Sequence, residues 1–338
     1  MSFHEEAKAH RWEEVEQEIE NCRGLDVERA LASRKVGLAE LVRLLSPAAA
    51  AFLEEMARQA HRITQQRFGQ VISLFAPLYL SNVCTSCCVY CGFNVRNSVR
   101  RLTLPVDQAE AEAMYLYEQG FRHILLVSGD APRVVSMEYL LGVIERLHRF
   151  FASIAIELYP MDTEAYRKMI AHGVDGLVVY QETYNEKRYK EVHLGGRKKD
   201  YHWRLETPDR GGEAGFRRIG IGALLGLSNW RVDGFYLALH ARYLLRRFWQ
   251  SHLGISFPRL RPAAGGYQPA CPVSDRDMVQ LMTALRLFLP DAGLVLSTRE
   301  SPYFRDHLIP LGITSMSAGS RTEPGGYAHG DGAESQFE

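Results

Sequence analysis

From residue 71 onward, eight short apolar runs alternate with seven stretches of helical spacing. The runs are VISLFAPLYL (71–80), FRHILLV (121–127), SIAIELY (153–159), DGLVVY (175–180), RIGIGALLG (218–226), GISFPRL (254–260), GLVLST (293–298) and GITSMSA (312–318). The first is continuously apolar, as a strand buried on both faces requires. Helical patterns fill 106–119, 135–150, 162–172, 203–215, 229–251, 274–289 and 301–309. Pro105, Thr163 and Ser274 stand where helices begin, and Gly120 and Gly173 where they stop. Such alternation means parallel βα units, because a parallel strand pair needs a long crossover. Eight units predict an α/β fold of the TIM type, a (β/α)8 barrel with its chemistry at the C-terminal ends of the strands. The alternative is a partial barrel of six units. No helical pattern follows the eighth run, where TEPGGYAHGDGAESQFE is Gly-rich and loop-like, so the last helix is apparently missing.

Residues 1–70 read as helical throughout. Leu38, Leu41, Leu44 and Leu45 share one helical face, as do Phe52, Met56 and Ala60 after a start at Ser46-Pro47. The expected organisation is an N-terminal helical extension over 1–70 and a barrel over 71–338. Apolar residues make up 46% of the chain and the formal net charge is zero, so a large core is available and no basic stripe offers itself to nucleic acid. No uncharged apolar run is long enough to span a bilayer, and MSFHEEAKAHRWEEVEQEIE lacks the apolar stretch of a secretory signal. A cytoplasmic protein is expected, in which clustered cysteines serve metals or redox chemistry before disulfides.

Residues 84–91 read CTSCCVYC, four of the six cysteines in eight positions, directly after the first strand. Thiolates are the preferred ligands of iron–sulfur clusters and of zinc. A zinc site would want a second Cys or His pair, and Cys22 and Cys271 stand alone. Two registers supply three ligands: Cys84, Cys88 and Cys91, or Cys84, Cys87 and Cys91. Three ligands leave one iron of a cluster open to a small molecule.

The first register, with Tyr90 just before the third cysteine, resembles the signature of radical S-adenosylmethionine (SAM) enzymes. The resemblance implies a [4Fe-4S] cluster on Cys84, Cys88 and Cys91, with the methionine end of SAM on the open iron. It implies reductive cleavage of SAM to methionine and a 5'-deoxyadenosyl radical. It also assigns SAM contacts: Tyr90 beside the cluster; Ser128, Gly129 and Asp130 after strand two, where relatives carry Gly-Gly-Glu; Glu182 in YQETYN; Arg204 in YHWRLETPDR for the SAM carboxylate; and Gly222 along the adenine. Arg is expected there because a guanidinium matches a carboxylate as a fork.

CTSCCVYCGFNVRNSVRRLTL, YQETYN, WRLETPDRGGEAGFRRIGIGALLGLSNWR and SAGSRTEPGGY, in this order, resemble the 2-iminoacetate synthase family, the tyrosine lyases of thiamine biosynthesis. That resemblance implies a carbon–carbon lyase cutting L-tyrosine into 2-iminoacetate and p-cresol. It implies Ser320 and Arg321 on the tyrosine carboxylate, and Tyr90, Glu157, Tyr159 or Tyr184 on the phenol. Partners implied are the thiazole synthase ThiG and a flavodoxin- or ferredoxin-like electron donor. The related hydrogenase maturase HydG needs further cysteines toward its C-terminus, and none follows Cys271 here. Other readings are a biotin-synthase-type enzyme with a different small substrate, or a non-catalytic zinc scaffold, which would be colourless where an iron–sulfur protein is brown. Cys88→Ala is expected to abolish cluster binding and SAM cleavage together, read by iron and sulfide content and by 5'-deoxyadenosine; a full cluster in that variant would move the ligand to Cys87.

Overall fold

The computed structural model describes residues 2–328, 330 and 335–337. Eight parallel strands close into a barrel in simple sequence order. They are β1 (Ser73–Ser81), β2 (His123–Ser128), β3 (Ser153–Glu157), β4 (Val174–Glu182), β5 (Arg218–Ala223), β6 (His252–Ser256), β7 (Gly293–Leu296) and β8 (Ser315–Ser317). Closure is made by β8 on β1, with Ser315 opposite Ser73 and Ser317 opposite Phe75. Most strands are shorter at their C-terminal ends than the apolar runs suggest. Runs such as GISFPRL continue past Ser256 into loops that turn over the barrel mouth.

Before β1 lie α1 (Phe3–Lys8), α2 (Trp12–Asn21), α3 (Gly24–Leu31), α4 (Leu38–Leu45) and α5 (Leu53–Phe68). Around the barrel run α6 (Val106–Glu118), α7 (Met137–Leu147), α8 (Thr163–Ala171), α9 (Glu186–Val192), α10 (Tyr201–Leu205), α11 (Thr207–Ala214), α12 (Trp230–Arg247), α13 (Asp275–Phe288) and α14 (Pro302–Gly312). Side-chain caps set their starts: Ser136, Asp162, Asn185, Asn229 and Ser274 each accept a backbone N–H of the first turn. The pattern over 203–215 is two helices, not one. Pro208 sits in the first turn of α11, where its missing N–H costs nothing, and α10 ends just before it. Helix α9 was not anticipated, because KRYKEV carries too few apolar residues to show a face.

No helix follows β8 among the described residues. Helix α5 packs on α13 and α14. Gln280, buried on α13, donates to the carbonyls of Leu44 and Ser46, and Arg231 at the start of α12 donates to that of Leu45. These bonds dock the N-terminal helices on the barrel's outer helical layer. Fully buried Arg286 gives its guanidinium to the carbonyls of Pro290 (3.1 Å), Ala292 (2.7 Å) and Gly312 (2.7 Å). It thereby ties the end of α13 to the entry of β7 and the end of α14. Arg286→Met keeps most of the volume but strands these acceptors, and is expected to cost about 3 kcal/mol in urea unfolding; an unchanged midpoint would show that the carbonyls find other donors.

Candidate active site

The cysteine loop, residues 82–103, is irregular backbone and must satisfy its own carbonyls. Arg101 does much of this alone. Its guanidinium donates to the carbonyls of Asn82 (2.7 Å), Phe93 (3.0 Å), Asn94 (2.7 Å) and Asn97 (3.2 Å). Asn94 donates to the Cys88 carbonyl, and Asn97 to those of Cys91 and Gly92. The far side of the loop pairs with the segment after α9: Cys87 N–H donates to Gly195, Leu194 N–H to Cys87, and Val89 N–H to Val192. With the backbone occupied in this way, Cys84, Cys88 and Cys91 face one cavity at the C-terminal mouth, and Cys87 packs beside Gly195 outside it. Burial pushes the Cys84 thiol up and the Cys88 thiol up to about 12. Only a cationic ligand would hold such thiols as thiolates.

The opposite wall carries the charges. Glu182 ends β4 with φ of +73°, a left-handed conformation that a non-glycine residue adopts only when its surroundings enforce it. There its Oε1 accepts from Lys198 Nζ (2.6 Å) and lies 3.5 Å from Arg204 Nη2. All three side chains are largely buried. Burial raises the Glu182 carboxyl, but the two cations outweigh it and hold the group below its usual range. Arg204 also donates to the Tyr180 carbonyl (2.6 Å). It is thus an interior residue, although it lies on a short surface-type helix.

Between these walls lie Ser128, Gly129 and Asp130. A Cβ on Gly129 would fall 2.2 Å from the Val83 carbonyl oxygen, so only glycine lets β2 pass this close to the cysteine loop. Asp130 Oδ2 accepts from Ser86 Oγ (3.0 Å), while Oδ1 is buried without a hydrogen bond, 3.9 Å from the Arg197 guanidinium. Tyr90 lines the cavity with its hydroxyl on His193 Nε2 (2.8 Å). Glu157 lines it too, its carboxyl raised by burial and by Glu182 against the pull of Arg299. Tyr159 shows its ring to the cavity, but its hydroxyl is committed to the Val135 carbonyl.

A second chamber adjoins the first and shares Val127, Glu157, Tyr180 and Arg299 with it. Arg299 follows β7, and its Nη1 is buried without a hydrogen bond. The next residue, Glu300, is tied to Arg259 and Arg261 outside, which leaves Arg299 to face inward. Ser320 Oγ lies in this chamber, also buried and unpartnered. The tail returns across the mouth. Gln336 accepts from the Tyr79 hydroxyl (2.9 Å) and donates to Cys91 Sγ (3.4 Å), and the Phe337 ring lies 3.8 Å under the Arg299 guanidinium.

Three expectations change. Arg321 is exposed and lines neither chamber; its backbone N–H donates to the Tyr327 hydroxyl. Tyr184 is buried outside the barrel, bonded to His240 Nδ1 (2.9 Å) and edge-on to Phe3, because the backbone turns outward just after Glu182. Gly222 lines neither chamber; a Cβ there would meet the Ser256 carbonyl oxygen and the Tyr180 ring, each at 2.7 Å, so its bareness serves strand packing. Residues not anticipated are Arg101, Tyr180, Lys198, Arg299, Gln336 and Phe337. Arg299 was findable, since GLVLSTRE puts it at the C-terminal end of a barrel strand. Lys198 had no signal, because GGRKKD reads as a solvated basic turn.

The residues present fit an iron–sulfur group with SAM beside it: three thiols on one wall, an orphaned Asp130 oxygen, and bare backbone at Gly129. Together the closed barrel and this cysteine wall define a radical SAM enzyme. Residues 78–237 match the Radical SAM superfamily, and residues 256–336 match the Biotin and Thiamin Synthesis associated domain. The 2-iminoacetate synthase of Salmonella typhimurium is 46% identical over 94% of this chain and 84% of its own length, and that of Escherichia coli 46% identical over 96% and 87%. The chain belongs to the 2-iminoacetate synthase family. It is accordingly a lyase that uses a [4Fe-4S] cluster and SAM. A crystal structure of the [FeFe]-hydrogenase maturase HydG superposes with a TM-score of 0.89 at 32% identity, covering 96% of this chain and 74% of that one. Methylornithine synthase shares the fold, with a TM-score of 0.72 at 20% identity over 86% of this chain and 84% of that one.

Lys198→Met leaves Glu182 buried with one cation partner, and a cost of about 3 kcal/mol is expected in unfolding of the reconstituted protein. The double variant Lys198→Met, Glu182→Gln should recover most of it; no recovery would mean that the two side chains act independently.

Proposed function

We propose that this enzyme cleaves the Cα–Cβ bond of L-tyrosine to give 2-iminoacetate and p-cresol, for thiamine thiazole synthesis. The observation that carries the reading is the inward Arg299 guanidinium, whose buried Nη1 has no hydrogen-bond partner, with Ser320 in the same chamber, which adjoins the cysteine wall. Family membership supports 2-iminoacetate as product. The chamber's composition supports tyrosine as source.

When bound, the cluster on Cys84, Cys88 and Cys91 and the SAM beside it supply a carbon-centred radical able to take a hydrogen atom from the substrate nitrogen. Asp130 Oδ1 and the Gly129 backbone offer acceptors to the SAM ammonium, and Lys198 and Arg204 offer positive charge to its carboxylate. Glu182 holds both cations in place, and Tyr90 packs beside the cluster. Arg299 takes the tyrosine carboxylate, in place of Arg321, and Ser320 adds a hydroxyl. The substrate ring then lies among Phe75, Leu125 and Val295, which line the lower part of the second chamber. Its hydroxyl approaches Glu157 and the hydrogen-bonded pair Tyr180 and Ser256. Of the residues first considered for the phenol, Glu157 keeps that role; Tyr159 and Tyr184 have their hydroxyls engaged elsewhere.

Cleavage of the substrate radical would leave a closed-shell imine and a 4-hydroxybenzyl radical, which takes one electron and one proton to become p-cresol; one further electron is needed for the reductive cleavage of SAM. A flavodoxin- or ferredoxin-like donor is the expected source. The imine hydrolyses in water, so direct transfer to ThiG is expected, and three thiols that must stay reduced fit a cytoplasmic setting. Among the described residues no helix is long and apolar enough to cross a membrane.

Arg299→Met should raise the tyrosine KM by about a hundredfold, the worth of a charged hydrogen bond, while SAM-derived 5'-deoxyadenosine still forms. Arg321→Ala should leave both within about twofold, as surface substitutions do. Chromatography of p-cresol and 5'-deoxyadenosine reads both; a tyrosine defect in Arg321→Ala with none in Arg299→Met would reverse the assignment.

A further inference from the structure

Barrels of this type are normally filled by layers of bulky side chains. Here the lower half is hollow, with a cavity of about 420 Å³ at the N-terminal ends of the strands. The cause is legible in the register. Gly220 on β5 pairs with Gly254 on β6, which pairs with Gly293 on β7, so three adjacent strands present bare backbone at one level. Ala155 and Gly176 add further small residues to the wall. Gly254 has no positive φ, and a Cβ there would make only ordinary contact, 3.4 Å from Val295 Cγ2. Backbone geometry therefore does not demand glycine at this position. What glycine provides there is space, at the loss of strand stability it carries.

This hollow lies one side-chain layer beneath the second chamber. Phe75, Leu125, Tyr180, Ser256 and Val295 line both, as floor of one and roof of the other. The hollow's walls are mainly apolar, with His123, Arg218, His252 and Asp291 among the lining residues, and its size is that of a small-molecule site. Above the chamber, Gln336 and Phe337 cross the mouth beside the cysteine wall.

We propose that the hollow is a binding site for the neutral phenolic product, which leaves the reaction chamber downward through this floor while the charged imine stays with the cations above. The inference rests on the tyrosine reading. Its chemistry is partition. Cleavage yields one small anionic fragment and one neutral aromatic, and the cavities at either side of the break suit one each. The ring of the substrate already lies on the floor, so the aromatic fragment has the shorter path down.

Gly254→Val narrows the hollow without a backbone clash. Binding of added p-cresol to the reconstituted protein, followed by saturation-transfer NMR, needs no turnover. Parent protein should bind it, and Gly254→Val should weaken binding by at least about tenfold, as overpacking a cavity does. In the same variant the first turnover should form p-cresol as in the parent, while steady-state turnover falls several-fold. Equal binding and equal steady-state rates in both proteins would overturn the proposal, as would p-cresol binding that tyrosine fully displaces. Should Gly254→Val fail to fold, Ser73→Trp at the exposed mouth of the hollow takes its place: slowed steady-state release supports the proposal and an unchanged rate overturns it. Formation of 5'-deoxyadenosine without p-cresol in the parent's first turnover would instead defeat the tyrosine reading.

Discussion

Three thiols must face one cavity from a loop that has neither helix nor strand to hold it, and Arg101 meets that constraint. One guanidinium takes four carbonyls of the loop, spaced from Asn82 to Asn97. Cations that hydrogen-bond several carbonyls fix a chain path more firmly than neutral side chains do. Asn94 and Asn97 finish the task at the cysteines themselves. Once those carbonyls are occupied, the side chains have little freedom left. Cys84, Cys88 and Cys91 turn to the cavity and Cys87 turns away. The site is therefore prepared by bonds to backbone that never touch a cofactor.

The second organising element is electrostatic. Glu182 is held in a strained backbone conformation and placed between two buried cations. Neither Lys198 nor Arg204 could be buried there alone at acceptable cost. With Glu182 they form a net positive wall opposite the thiols. A zwitterionic amino-acid end, such as that of SAM, fits between such a wall and the acceptors at Asp130. Farther in, Arg299 faces the second chamber with its Nη1 free of a hydrogen bond, where the proposed reading puts the carboxylate of a second amino acid.

Strand and helix alternation made the barrel legible, because the period of an apolar run reports burial directly. CTSCCVYC made the cluster legible, because few chemistries need three thiols at that spacing. The failures share a cause as well. The resemblance implies Tyr184 for the phenol, but the positive φ at Glu182 turns the next residues outward, and no pattern in YQETYN announces that. The resemblance implies Arg321 for the substrate carboxylate, in the loop after the eighth strand, and does not point to Arg299. The structure adds Glu300, whose bonds to Arg259 and Arg261 leave its neighbour Arg299 to line the chamber. The glycines of β5, β6 and β7 look like ordinary strand interruptions until the register lines them up. Each miss depends on a contact distant in sequence, which local spacing does not carry.

The whole account turns on one bond in one substrate. Reconstituted enzyme, given SAM, a reductant and ring-labelled L-tyrosine under anaerobic conditions, should form labelled p-cresol and 5'-deoxyadenosine in equal amounts, with glyoxylate appearing as the imine hydrolyses. 5'-Deoxyadenosine from a fully loaded enzyme with no labelled p-cresol would contradict it, and would mean that the chamber beneath Arg299 holds some other amino acid.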